Sequence, residues 1–579
     1  MRHNARTALY CHEYLHKTYA PNQFDLSLRL LESEDEIATE YIRLGGIHED
    51  AVLAKIRGGK LIVVQLDLSE TYESREIQTA IALLRTDIDI LLGASIGAET
   101  ENELRKTLGI SKCPGDEDRV SRPDLLIRVG VDGEIPIWAP VDVKSHSAIG
   151  ESKTQFVDET DLDLNPIPTS GAVKGRFGQS DALQLAHYMT HLRNIGLAPA
   201  DLRAGIIGRD GQRIAWAKLD QVKFGLGKNA PDAMTLYAEK FLKAKALVIA
   251  AVKRNDDATV QVDSMARMET GDFGCVKCEF KNVCREEMDE FDGGQGHVTL
   301  LAKVTPKVRR DHFPTIESIR EMREATGLDD AGEAAKIRAR VWKSGVPELL
   351  KPNEGFSIPA FDVEIDIDLE NSQAALFEAG IDEIAGKDQV YLYGYGVLDR
   401  TVSTDWRTGQ FDSFSNYEDS VAAEIDVQMR MWNFLKDQVA KAEAAGKSVG
   451  IFHYSSHEVS WWRKFAVRHA AVPGTPTLHE VETFIADYFN DLLPYSRMVA
   501  LKVTGYGIKF LAPLAQFKWD VVDPGGAGSL LKYRVAIDAT KTEDERQAAR
   551  DWLYSYNLDD VRATFAVREY LRGLERVNK

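Results

Sequence analysis

The sequence has too few cysteines for a disulfide framework: five in 579 residues, at 11, 113, 275, 278 and 284, an odd number unevenly spread. It also lacks any apolar run that could cross a bilayer. The longest, Ala246–Val252, falls far short of the roughly 20 residues a spanning helix needs, so no membrane partner is expected. No apolar stretch follows Met1-Arg2-His3-Asn4 as a secretory leader would, and the expected location is the cytoplasm. Positive charge is scarce as well, with 71 Lys and Arg against 90 Asp and Glu and a net charge of −19. A polyanionic partner would have to be held by a local basic groove or by bound metal ions, not by bulk attraction. No Gly-x-x-x-x-Gly-Lys-Ser/Thr phosphate loop is present, so the chain brings no ATP-driven motor of that kind.

What is present is ordinary globular usage, 44% apolar and 28% charged, in a chain long enough for about three or four domains. The informative stretch is Ser121–His146. Two apolar runs, Leu125–Val129 and Ile135–Val141, flank the turn Val131-Asp132-Gly133-Glu134, the pattern of a β-hairpin. Asp124 heads the first strand. Asp142 and Lys144 end the second, two residues apart and so on one face. Two carboxylates and an ammonium then converge at one end of the hairpin. Such carboxylates hold Mg²⁺ or Mn²⁺, which polarises a phosphoryl oxygen and generates a hydroxide nucleophile.

Before the hairpin, a helix is expected over about Ser33–Arg57, started by a Ser33/Glu36 capping box and kinked or split at Gly45-Gly46, with His48 just past the break. Strand Lys60–Asp67, helix Glu76–Arg85 and Ile88–Leu92 follow. After the hairpin, a helix over about Ser180–Asn194 places Gln184 and Tyr188 on one face. Helix, strand, helix, hairpin and helix make a small mixed sheet with flanking helices.

In this order, His48, Asp124, Asp142-Val143-Lys144 and Gln184…Tyr188 resemble the motifs of the RecB-family PD-(D/E)xK nucleases. The resemblance implies a restriction-endonuclease-like mixed sheet over 1–300. It also implies metal ligation by His48, Asp124 and Asp142, catalysis by Lys144, and Gln184 and Tyr188 contacting DNA or bracing the site. A further signal is Cys275-x2-Cys278-x5-Cys284, which needs one more ligand to complete a four-thiolate site. Cys11 is the natural fourth, with Cys113 the alternative. Four thiolates suit zinc. The three-plus-one spacing, however, resembles the [4Fe–4S] staple of AddB-type and CRISPR-associated RecB-like exonucleases, which ties the two ends of the domain together.

The run Thr315–Trp342 reads as a helical pair within a connector, 301–354. From about 355 the pattern changes. Asp362 and Glu364 share a strand face, Gln389–Val397 follows as a partner strand, Glu458 comes after the strand end GIFHYSSHEVS, and Tyr556 and Asp560 lie one turn apart on a terminal helix. This series resembles the RNase H-like DEDD exonucleases. It implies an RNase H-like α/β domain over 355–579 in which Asp362, Glu364, Glu458 and Asp560 hold two divalent ions and Tyr556 orients water. The neighbouring Asp366, Asp368 and Asp559 leave the register of that set open, and Asp491 is either structural or a ligand.

The resemblances together imply an α/β metal-dependent exonuclease acting on single-stranded DNA ends, in repair or defence, with any helicase a separate partner. Two alternatives stand beside it: a nucleic-acid-binding scaffold with one or both sites inactive, and an RNase working through the C-terminal domain.

Overall fold

The computed structural model describes residues 3–29, 36–108, 119–150, 152, 154–165, 173–225, 230–262, 278–351, 354–372, 389–521 and 526–577. The chain is mixed α/β and divides into two compact units, one up to Cys284 and one from Arg285 onward.

The first unit is built on eight strands: β1 (Val63–Gln65), β2 (Ile90–Leu92), β3 (Leu125–Asp132), β4 (Ile135–Val143), β5 (Phe156–Asp161), β6 (Val173–Lys174), β7 (Arg203–Ile207) and β8 (Arg213–Lys218). They form one open sheet in the order β1-β2-β3-β4-β7-β8-β5-β6. The β1–β2 and β4–β7 pairs are parallel; β2–β3, β3–β4 and β7–β8 are antiparallel. Leu125 and Ile127 pack with Val141 and Ile207 on one side, and Leu126 joins Trp138 and Leu83 on the other. Both faces are covered, which is why β3 opens on a continuous apolar run instead of an alternating one. The parallel β4–β7 pair needs a crossover, and the Gln179–Asn194 helix supplies it. The helix expected to break at Gly45-Gly46 runs unbroken from Glu36 to Arg57. Each glycine costs about 1 kcal/mol in a helix interior, but Val52 and Ile56 anchor its second half in the core, and such packing outweighs propensity. Ser33, the expected cap, lies outside the described residues.

The second unit contains β9 (Glu348–Leu349), β10 (Val363–Asn371), β11 (Val390–Asp399), β12 (Gln410–Ser415), β13 (Val449–His453), β14 (Phe489–Asp491) and β15 (Val499–Ala500). Five of them form a sheet in the order β12-β11-β10-β13-β14, while β9 and β15 pair separately. β10, β11 and β12 are antiparallel neighbours, and β13 runs parallel to β10 and β14 to β13. Ile365, Ile367 and Leu369 point to one face, into a core with Met431 and Trp432 of the Val421–Ala444 helix and Trp462 of the His457–Arg468 helix. The 35-residue Glu543–Val577 helix lies against the other face. The 301–354 stretch is helical, with helices Pro306–His312, Ile319–Glu324 and Asp330–Ser344. Its end is tied into the second unit by the β9–β15 pair. Among the described residues no helix is long and apolar enough to cross a membrane.

Candidate functional sites

In the first unit the hairpin register sets the geometry. Leu125 pairs with Val141, so Asp124, one residue before β3, comes level with Asp142 near the end of β4. Oδ2 of Asp124 accepts the Val143 N–H at 2.7 Å. Lys144 follows β4, and its Nζ stands 3.1 Å from Oδ2 of the fully buried Asp142. The same ammonium donates to Oε1 of Gln184 at 2.9 Å, and Nε2 of Gln184 donates to the Tyr188 hydroxyl at 2.8 Å. Asp124, Asp142, Lys144, Gln184 and Tyr188 are thus one connected group. His48 is buried nearby, against the backbone of Gly208 and Lys144.

The electrostatics of this group are those of crowded acids. Burial pushes Asp124 well above the usual carboxylate range, and Asp142 and Glu49 push it further. Glu49 is raised by burial and by Asp142. It was not foreseen from the sequence; its place beside His48 on the same helix was the available signal. Burial alone would lower Lys144, but Asp142, Asp181 and Asp124 outweigh it and hold its pKa above the ordinary lysine value. Burial lowers His48, which favours the neutral imidazole a metal ligand requires. Among the described residues its Nε2 and Oδ1 of Asp142 lack hydrogen-bond partners, while Oδ2 faces Lys144, so this donor set fits a cation. A cleft of about 340 Å³ lies alongside, lined by Ser147, Ala148, Gly208, Arg209, Asp210 and Arg213.

In the second unit, Glu364, Asp366, Asp368 and Glu370 alternate along β10 and face the Glu543–Val577 helix. That helix meets the two halves of the stripe differently. Its Arg568 is completely buried and pairs with Asp366, and with Glu364 at 3.1 Å. Arg572 and Arg400 add ion pairs to Glu364 at 2.6 and 2.7 Å. At the other end, Asp368, Glu370 and Asp560 offer ligand atoms that all lie within 4.8 Å of one another. Among the described residues no arginine forms an ion pair with them. Asn557 donates to Asp368 at 2.7 Å, Trp519 Nε1 to Asp560 at 2.7 Å, and Lys509 to the Tyr556 hydroxyl at 2.9 Å. Gly394, directly opposite Asp368 on β11, makes room for Asn557; a Cβ there would collide with its amide.

Burial raises all three acids, and Asp560 crowds the other two. Asp368 is driven well above the usual range, with Asp560, Glu370 and Glu458 adding to the burial. Glu370 is pushed up to about 8 by burial and Asp560, against the pull of Ser529 and Lys509. Asp560 is also raised by burial, although Lys509, Trp519 and Tyr556 act the other way. Three acids this close, short of cations, fit a divalent ion.

The second unit corrects the expected register. Asp362 lies before β10, half-buried, its carboxylate accepting from the backbone N–H and hydroxyl of Ser448, both at 2.8 Å. Glu364 is locked into the arginine network. Neither reaches Asp560. The acidic pair beside Asp560 is Asp368 and Glu370, four and six residues further along. Glu458 is buried at the start of its helix, 3.4 Å from Nδ1 of His453, and close enough to raise Asp368. Asp491 caps the Leu492–Arg497 helix, accepting the Leu493 N–H at 2.9 Å and the Ser455 N–H at 2.8 Å.

The cysteines are described only in part, since Cys275 and Cys113 lie outside the described residues. Cys11 caps the His12–Tyr19 helix, its Sγ accepting the Tyr14 N–H at 3.2 Å. Tyr14 bonds Oε1 of Glu279 at 3.0 Å and meets the Phe280 ring edge-on at 5.4 Å. The first turn after Cys11 therefore packs on the segment between Cys278 and Cys284. Among the described residues the cysteines do not form a three-ligand group.

Neither a family model, nor a curated protein, nor a solved structure matches this chain.

Proposed function

We propose that the protein is a metal-dependent phosphodiesterase of nucleic acids, with a DNA-cleaving centre at Asp124, Asp142 and Lys144 that acts on single-stranded ends. The observation that carries this reading is the pair of buried, mutually repelling carboxylate groups, one in each unit, each beside a lysine that bonds a neighbouring polar side chain. Divalent ions held by His48, Asp124 and Asp142, and by Asp368, Glu370 and Asp560, would supply Lewis-acid polarisation and a water of lowered pKa. Lys144, kept protonated by its acidic neighbours and aimed by Gln184, is placed to balance charge building on a phosphoryl group. Tyr556 donates to Asp560 while receiving a proton bond from Lys509, which holds its ring and hydroxyl in place.

The closer gathering of acids in the second unit favours a second reading, hydrolysis of RNA at Asp368, Glu370 and Asp560. Lys144→Gln and Asp368→Asn, made separately, decide between them on labelled single-stranded DNA and RNA. Loss of DNA cleavage with Lys144→Gln alone supports the first centre. Loss of RNA cleavage with Asp368→Asn alone supports the second. If neither variant loses activity, the enzymatic reading is wrong.

A further inference from the structure

Tyr72 opens the Tyr72–Leu83 helix, capped by Thr71. Its side chain is half exposed, and the Arg122 guanidinium sits over its ring, 3.7 Å from the centroid. Arg75, in the first turn of the same helix, lies 5.8 Å from that centroid. A cation in a first turn faces the positive end of the helix dipole and is disfavoured there. Arg75 is nonetheless more than nine-tenths buried. It donates to the Gly93 carbonyl at 2.9 Å, and its Nε has no partner. Among the described residues no carboxylate forms an ion pair with Arg75 or Arg122, and the two guanidiniums repel each other. In a chain of net charge −19, two adjacent arginines at a helix N-terminus, neither paired with an acid among the described residues, make an anion site.

Its position gives it meaning. Arg122 is two residues before Asp124, so their Cα atoms are at most about 7 Å apart. Gly93, which Arg75 holds, follows Leu92, the residue paired with Leu125 next to Asp124. The platform and the acids therefore lie where β2 ends and β3 begins, at one end of these strands.

We propose that Tyr72, Arg75 and Arg122 form the docking platform for a single strand entering the Asp124–Asp142 site, an assignment that rests on the reading of that site as a nuclease centre. The two guanidiniums take a backbone phosphate, and the exposed part of the Tyr72 ring stacks a base. Stacking of this kind needs an unpaired base, so the platform selects single strands over duplex.

The test is binding of the full chain, without added divalent ions, to a labelled oligothymidylate and to a blunt duplex of the same length. Tyr72→Ala and Arg122→Ala should each weaken oligothymidylate binding about tenfold and leave duplex binding unchanged. Tyr72→Phe, which keeps the ring, should bind as the parent does. Arg122→Ala should also flatten the salt dependence by about 0.7 in the log–log slope. The proposal is overturned by unchanged affinities, by equal losses on duplex, by a Tyr72→Phe defect as large as that of Tyr72→Ala, or by a parent protein that does not bind the oligomer. Hydrolysis by Lys144→Gln separates the two ideas. Lost cleavage with unmoved affinities sinks the platform alone; full cleavage with weakened affinities sinks the catalytic centre alone.

Discussion

Asn557 donates to Asp368 at 2.7 Å across the gap left by Gly394, and this contact sets which acids of β10 meet acids and which meet arginines. Eleven residues further along the same helix, Arg568 reaches Asp366 and Glu364. The helix runs antiparallel to the strand, so its acidic end lies over Asp368 and Glu370 and its basic end over the rest. Asp368→Asn should therefore abolish hydrolysis at this site, by at least about a hundredfold. Asp362→Ala, at a half-buried residue outside the cluster, should leave the rate within about twofold. Initial rates on labelled single-stranded RNA and DNA check both. Loss with Asp362→Ala would mean that the strand is offset from the position described.

The arginine network gives a pH prediction. Burial works against Glu364, but Arg568, Arg572 and Arg400 overcome it and hold its pKa at about 2. Asp366, whose ion pair among the described residues is with Arg568, is instead pushed up by burial to about 7. For Glu364 the folded value lies below the ordinary 4.5. Its contribution is thus complete above about pH 4.5 and is lost as the pH falls toward 2. The shift corresponds to about 3 kcal/mol. Glu364→Gln should lower stability by roughly that amount at pH 7, and in urea titrations the gap to the parent should narrow below about pH 4.5 and close toward pH 2. A gap that stays constant with pH would show that the carboxylate charge is not what stabilises the fold.

Lys144 is held on two sides, by Asp142 at 3.1 Å and by Gln184 at 2.9 Å. Because its acidic neighbours raise its pKa, no ionisation of Lys144 should shape the rate profile below about pH 10. Lys144→Gln should cut kcat on single-stranded DNA by about 100- to 1,000-fold. Gln184→Ala removes the aiming bond, and with it the bond to Tyr188, and should cost about tenfold. Single-turnover rates separate the two. Equal losses would mean that Gln184 touches substrate itself.

The hairpin, the flanking helices and the order of the motifs were legible because each rests on local pattern: apolar runs, a turn, residues four apart. Asp124 and Asp142 come level because a β-bulge between Arg128 and Gly130 shifts the pairing by one residue from the register that the two-residue turn sets, a step the turn alone does not announce. The acids of β10 were not legible in this way. VEIDIDLE places residues 364, 366, 368 and 370 on one face whichever pair is chosen. The choice depends on a helix about 190 residues later, whose offset no local pattern carries. Gly394 and Gly396 were the missed signal, since small residues opposite acids mark where a helix side chain comes close. Glu49 was hidden for a related reason: its partner Asp142 is distant in sequence, and only the folded sheet brings the two charges together.

The cysteine arrangement makes the last prediction. Tyr14 joins the helix capped by Cys11 to Glu279 and Phe280, so the start and end of the first unit already touch without any metal. If Cys11, Cys275, Cys278 and Cys284 hold a [4Fe–4S] cluster, anaerobically purified protein should be brown, with about four irons per chain. Cys11→Ser should remove most of the iron and lower the thermal midpoint, because the cluster closes a loop of more than 260 residues. Cys113→Ser should keep both. Exchange of these roles, with Cys113→Ser losing the iron, would make residue 113 the fourth ligand. Colourless protein carrying one zinc would replace the cluster with a four-thiolate zinc site, and the loop-closing argument would hold unchanged for that metal.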